Sequence, residues 1–366
     1  MAVPERTRTE LPMLTTVLQV PVLGIEFSTL VILFIAAFGG GAFGAALGAL
    51  PAFCFTGFMV IAGEAAGFAQ AELAANVTGL VAFGPVFGPH ISFAGGAAAA
   101  AYAARDNEMG AGFDYHNAKA ITFALGTEPS HLVAGGLFGI AGMLITQFSA
   151  AFALPWDPIA VAVTLSALLH RVVLGYSVIG VVAGDGLFDM TPFERGEKRR
   201  AGEVDGDADK AGEERFAVEP WLPHQYEWSG VALIGLVTGI LGGYIWLQTG
   251  SYFLGFGISA ASLTFLNLGV EKIPVTHHMT LPASTAGAAV VASDPSASGI
   301  LVVVVAAVFG VYGALLGEVW QRIFYAHGDT HWDPPAAAIT LATFTIAVLY
   351  IVGVFPGSAW VPALGV

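Results

Sequence analysis

Apolar residues run in long blocks along most of the chain, separated by short stretches of Gly, Pro and charged residues. Blocks near 27–50, 52–74, 129–154 and 157–184 are each long enough to cross a bilayer as a helix, which takes about 20 apolar residues. A second set follows residue 228. The pattern predicts an all-α polytopic membrane protein of two tandem homologous repeats, each of about four transmembrane helices plus a Pro/Gly-broken re-entrant or discontinuous helix. The expected divisions are a cytoplasmic N-terminal segment (1–22), transmembrane repeat 1 (23–184), a charged flexible cytoplasmic linker (185–227) and transmembrane repeat 2 (228–366). The opening residues, with Arg6 and Arg8, are too polar to be the apolar core of a signal peptide, so the first block is expected to stay as an anchor.

The duplication is read from matched stretches. "WDPIAVAVTLSALL" from Trp156 recurs as "WDPPAAAITLATFT" from Trp332, and "FGIAGML" from Phe138 as "FGVYGAL" from Phe309. "PHISFAGGAAAAA" from Pro89 aligns with "HHMTLPASTAGAA" from His277, setting His90 opposite His278 and Ser92 opposite Thr280. Gly40, Gly44 and Gly48 have counterparts in Gly235, Gly239 and Gly243.

Basic residues set the expected orientation. Arg6, Arg8, Arg105, Lys119, the Arg195–Arg215 cluster and Lys272 are all cytoplasmic if each half makes four crossings and one re-entrant dip, with Arg322 alone on the wrong side. Four crossings per half, the arrangement the sequence favours, give parallel repeats. If the broken segments cross as discontinuous helices instead, each half has five crossings and the repeats are inverted.

Composition narrows the class. With 56% hydrophobic and 11% charged residues, a mean hydropathy of +0.74 leaves no room for a soluble catalytic domain. The excess of 27 Asp and Glu over 13 Lys and Arg suits a protein hydrated in concentrated salt and argues against nucleic acid as a partner. One cysteine, Cys54 in an apolar block, excludes disulfides and cysteine metal sites. No phosphate-binding loop, dinucleotide fingerprint or nucleophile elbow occurs, so no enzyme activity and no cofactor is expected.

The candidate chemistry lies in the breaks. Irregular chain at membrane depth persists only where protein covers it or water reaches it. In "GPVFGPHISFAGG", Pro85, Gly88 and Pro89 interrupt a helix that restarts with its positive end facing the break. His90, Ser92 and Gly95 would form an anion site there, and His277, His278, Thr280, Ser284 and Thr285 supply the matching elements in the second half. Glu64, Glu128 and His131 are candidates for coupling to an ion or proton, because ionisable groups at membrane depth are costly. "HGDTHWD" brings His327, Asp329, His331 and Asp333 close together but has no partner set in the first half, so it reads as a polar external loop and no metal is expected.

"GGGAFGAALGALP", with Gly40, Gly44, Gly48 and Pro51, resembles the Gly-xxx-Gly-xxx-Gly-Ala-Leu-Pro-Gly signature of the large membrane subunit of tripartite tricarboxylate transporters. Over roughly the first 150 residues, "GPVFGPHISFAGG" through "HNAKAITFALG" is similar to that family's Gly-rich break and the short basic segment after it. Ala52 departs from the signature's final Gly. The resemblance implies two repeats cradling a carboxylate, a small membrane subunit and an external binding protein.

The expected function is a secondary transporter in the plasma membrane, moving a small solute, an organic anion, between the broken segments. The alternatives are a channel and a non-transporting scaffold within a membrane complex. Expected partners are the substrate and the lipid bilayer, with homo-oligomerisation left open.

Overall fold

The structure, a computed structural model, describes residues 19–20, 23–105, 118–200, 214–292 and 298–366. The first 18 residues and residues 201–213 of the expected linker lie outside the described set. The described chain is mostly helical, and six of its helices are long and apolar enough to cross a membrane, which marks a membrane protein.

A small hairpin, β1 (Gln19–Val20) with β2 (Ile25–Glu26), leads into α1 (Phe27–Leu47). Gly48, at φ 93°, turns the chain into α2 (Ala49–Gly67), a conformation that a side chain would strain. The chain returns beside α2 through α3 (Ala71–Ala74) and a π-helical stretch, Ala75–Ala82. Residues 84–88 form the break. A π-helical turn over Pro89–Phe93 then feeds α4 (Ala94–Arg105), followed by α5 (Pro129–Ala151) and α6 (Pro158–Leu174).

The chain that follows the break is covered by protein: all residues from Pro89 to Ala101 are buried, and within the break Thr56 Oγ1 donates to Phe87 O at 2.5 Å. Alanine suits α4 twice over. It has the highest helix propensity, and its small side chain lets α1, α5 and α6 close around the helix.

The second half begins with α8 (Trp228–Thr249), after a short helix α7 (Thr191–Glu194) and a hairpin of β3 (Lys198–Arg200) with β4 (Glu214–Phe216). Then come α9 (Leu254–Asn267), α10 (His277–Ala289), α11 (Gly299–Trp320, continuing as π-helix to Tyr325) and α12 (Pro334–Ile351). Every residue of α10 is buried, like the core of α4.

Contacts between the halves are antiparallel. Cys54 meets Asn267 at one end of α2 and α9, while Glu64 meets Ser251 at the other. Asp157 N donates to Thr343 Oγ1, and Arg171, one helix length further on, bonds Thr330, so α6 and α12 also run in opposite directions.

Of the segment expected as a flexible linker, residues 185–200 and 214–227 are described. The described parts are docked on the helices: Glu219 N bonds Ala326 O, Trp221 N bonds Gln321 Oε1, and Arg322 donates to Phe188 O and Tyr226 O. Charge pairing supplies what low hydrophobicity does not. Arg199 and Arg215 both engage Asp329, Arg215 also reaches Glu219, and Lys119 pairs with Glu219 at 2.7 Å. Burial opposes the charge on both members of this last pair. It pushes the Lys119 ammonium down to about 8, whereas at Glu219 the neighbouring Lys119 and Arg215 outweigh burial and hold the carboxyl below its ordinary value.

The docking also involves "HGDTHWD", expected as a polar external loop. Asp329 is gripped by linker arginines, so α11 ends where α8 begins, and Arg322 lies at the same end as the other basic residues.

Candidate functional site

A cavity of about 600 Å³ lies between the halves, with walls from both. It reaches from Leu50 and the Lys119–Thr122 segment to Thr146 and Ala150, in the last turns of α5, and to Trp360 and Pro362. Leu125 N and Gly126 N bond Ala45 O and Ala46 O, so the Lys119 segment marks the linker end, and Ala150 lies near the opposite end of α5. The cavity therefore extends along much of the bundle.

Four helices start at its wall. Asp157 accepts from Ile159 N at 2.8 Å and Ala160 N at 3.2 Å, capping α6, and Asp333 accepts from Ala336 N at 2.8 Å, capping α12. These are the aspartates of the two Trp-Asp-Pro stretches: Pro fills the first helical position, where no amide hydrogen is needed. The other two starts, at Pro89 and His277, have no side-chain cap. Asp157→Ala and Asp333→Ala should each lower stability by about 1 kcal/mol through loss of the cap, read as a drop in Tm of the detergent-purified protein. An unchanged Tm in both would remove the capping role.

His277 lines the cavity between two rings, with centroids 4.8 Å from Phe53 and 5.7 Å from Phe256, and its Nδ1 is buried without a partner among the described residues. His331 lines the same wall. Its Nε2 bonds Asp333 Oδ1 at 3.1 Å, and its Nδ1 is buried without a partner. Phe53 touches Phe93, and Phe93 touches His331, so the two imidazoles flank one aromatic pair. Tyr325 lies edge-on to His331 and carries Lys119 Nζ 4.5 Å over its ring.

The expected binding residues are distributed differently. Of them, His277 alone lines the cavity. His90 is buried between α1 and α5, and its Nδ1 has no partner. His278 packs against Trp221, Gly317 and Gly313. Ser92, Thr280, Ser284 and Thr285 turn their hydroxyls onto carbonyls, Gly88 O, His277 O, Tyr252 O and Leu281 O respectively. A hydroxyl in a buried helix meets its bonding needs most directly on a carbonyl three or four residues back, which is why all four do so, Ser284 by a further bond to Leu281 O at 3.0 Å. Gly95 serves close packing against Gly41 and Gly135.

The coupling candidates also separate. Glu64 Oε1 accepts from Thr78 Oγ1 at 2.9 Å and Oε2 from Ser251 Oγ at 2.5 Å, away from the cavity wall. Ser251 Oγ in turn accepts from Leu254 N, so the carboxylate braces the start of α9. Glu128 is exposed at the start of α5, and His131 is buried with its ring 6.2 Å from Tyr102. In "HGDTHWD" the residues serve different partners, His327 meeting Leu187 O while Asp329 holds the linker arginines.

Sequence reasoning missed Lys119, Tyr325, Asp157 and the cavity role of His331 and Asp333. The recurring Trp-Asp-Pro carried the signal: a carboxylate kept at the start of the same apolar helix in both halves.

Comparison with curated proteins and with solved structures finds no match. A model of a family of unknown function, DUF7973, matches residues 22–364, and the chain belongs to that family.

Proposed function

We propose that the protein is a secondary transporter for a small solute, built from two inverted repeats that enclose the solute between them. The observation that carries this reading is the long cavity walled by equivalent elements of both halves, with the starts of α6 and α12 and of the two buried segments facing it.

Several contacts support the duplication. His90 O approaches Gly142 of α5, and His278 O approaches Gly313 of α11; His90 aligns with His278 in the sequence, and Gly142 with Gly313. Gly41 packs on Gly135 and Gly139 as Gly239 packs on Ala306 and Gly310, which shifts the glycine correspondence so that Gly41, not Gly44, answers to Gly239. The antiparallel pairs α2–α9 and α6–α12 favour inversion, with the segment 71–105 crossing as a discontinuous helix. Lys119, Arg199, Arg215 and Arg322 gather at one end, which the positive-inside rule makes cytoplasmic; α1 ends there and so starts at the opposite end, against the expectation of a cytoplasmic N-terminal segment.

The test needs no known substrate. With Cys54 replaced by Ser, single cysteines at Thr122, Leu281 and Ala150 are treated with membrane-impermeant thiol reagents from each side of oriented vesicles. A carrier exposes Thr122→Cys and Ala150→Cys to opposite sides and never Leu281→Cys to both at once. Simultaneous labelling of Leu281→Cys from both sides would make the protein a channel. No labelling at any position, from folded protein, would overturn transport and favour a scaffold.

A further inference from the structure

We infer that the cavity takes an amphipathic monocarboxylate, its carboxylate held among Lys119, Tyr325 and His277 and its apolar body lying along the aromatic wall toward Trp360. This deepens the transporter reading and rests on it for the cavity's role, but the binding chemistry stands on the lining itself.

The unused hydrogen-bonding capacity at the linker end is mainly donor capacity. Among the described residues Tyr325 Oη has no hydrogen-bond partner, His277 has an imidazole N–H to give, and Lys119 spends one contact on Glu219 and keeps further N–H groups. His277 is 6 % exposed and His331 1 % exposed, so neither gains solvent as a full substitute partner. Of the nearby acceptors, Asp333 already receives both Ala336 N and His331 Nε2, which leaves His331 Nδ1 as a single unpaired acceptor behind Phe93. An acceptor-rich group is what such a donor set is short of, and a carboxylate would also meet the uncapped start of α10 at His277.

The rest of the wall limits the ligand to one charge. Phe83, Phe253, Phe256, Leu266, Leu281 and Trp360 supply apolar surface, where a second carboxylate would find no donor. Asp157 lies toward the other end, level with Thr343, where it would repel one. The inference therefore departs from a tricarboxylate, and Lys119 gives it a pH signature. Facing that ammonium are Glu219 and Arg215 of the linker, Asp329 before α12, and the Tyr325 ring. Because the ammonium titrates near pH 8, affinity should fall as pH rises above about 8, when its charge is lost.

The experiment is calorimetric titration of the full-length protein in detergent, at pH 7, with 3-phenylpropanoate, 3-phenylpropanol, 3-phenylpropylammonium, citrate and decanoate. We expect 3-phenylpropanoate to bind and citrate and the ammonium not to. Tyr325→Phe and His277→Phe, which keep the aromatic packing, should each weaken the carboxylate about tenfold or more, as for loss of a hydrogen bond to a charged group, and leave the alcohol nearly unchanged. Decanoate binding tighter than 3-phenylpropanoate assigns the ligand to lipid-derived acids, and the reverse to soluble ones; both support the inference. Tighter binding of citrate or of the ammonium, no carboxylate binding by folded protein, or full affinity in both variants overturns it. Carboxylate binding without side-dependent thiol access would keep this inference and remove transport; the converse would keep transport and remove the inference.

Discussion

Arg171→Met should destabilise the protein by about 1 to 3 kcal/mol, because it strips the buried Thr330 carbonyl of its donor, and the half-buried Val178 carbonyl with it. Arg171 is 0 % exposed on α6, yet its donors go to Thr330 Oγ1 at 2.8 Å, Thr330 O at 2.8 Å and Val178 O at 2.5 Å, with Trp332 stacked 5.0 Å away. The guanidinium fork ties α6 of the first half to the loop before α12 of the second. Arg171→Lys should recover only part of the loss, since a single ammonium on a shorter reach cannot serve three acceptors set for a planar fork. Thermal unfolding in detergent measures both, and a methionine variant with the parental Tm would mean that the carbonyls find other partners.

Gly142→Val and Gly44→Val should be as damaging, by a different route. A Cβ at Gly142 would strike His90 O, and one at Gly44 would strike the backbone of Ser92, so neither obstacle can rotate away. Overpacking against mobile side chains costs about 1 to 3 kcal/mol, and rigid backbone should bring the cost to at least the top of that range. Gly39→Ala is the control: nothing lies within 4 Å of its Cβ position, and removing a helix glycine should be neutral or stabilise by about 0.5 to 1 kcal/mol. The readout is the yield of monodisperse protein on size exclusion together with its Tm. Normal yield from both valine variants would show that the break segment does not pack on α1 and α5 as described.

Helix positions were legible in the sequence because spanning a bilayer takes a fixed length of apolar residues. The blocks at 27–50 and 129–154 became α1 and α5 with ends displaced by three residues or fewer. The relative direction of the halves was harder to read. It turns on whether residues 71–105 dip or cross, and the charge count that favours a dip sets Arg322 apart from the other basic residues, while no local pattern shows that it bonds the backbone of Phe188 and Tyr226. The site was legible in part for a similar reason. His277 and Ser284 look alike as polar residues in an oily helix, but whether a hydroxyl faces a ligand or its own helix depends on a few tens of degrees of rotation, which sequence spacing does not encode. The cavity lining also gathers Lys119, Tyr325 and Asp157 from three distant segments, and their meeting depends on how the halves pack.

The ion pairs that dock the linker carry a consequence for the protein's surroundings. Arg195 and Glu197 pair at 3.2 Å with side chains 66% and 44% exposed, and at 1 M salt, where screening acts within about 3 Å, such a contact contributes little. Arg215, Arg199 and Asp329 have side chains only 5%, 13% and 11% exposed, so mobile ions reach them poorly. An increase in ionic strength would thus erase the ornamental charges first and leave this clamp fastened. For a chain of net charge −14, the same increase also relieves self-repulsion, so brine should tighten the linker end of the molecule and dilution should loosen it.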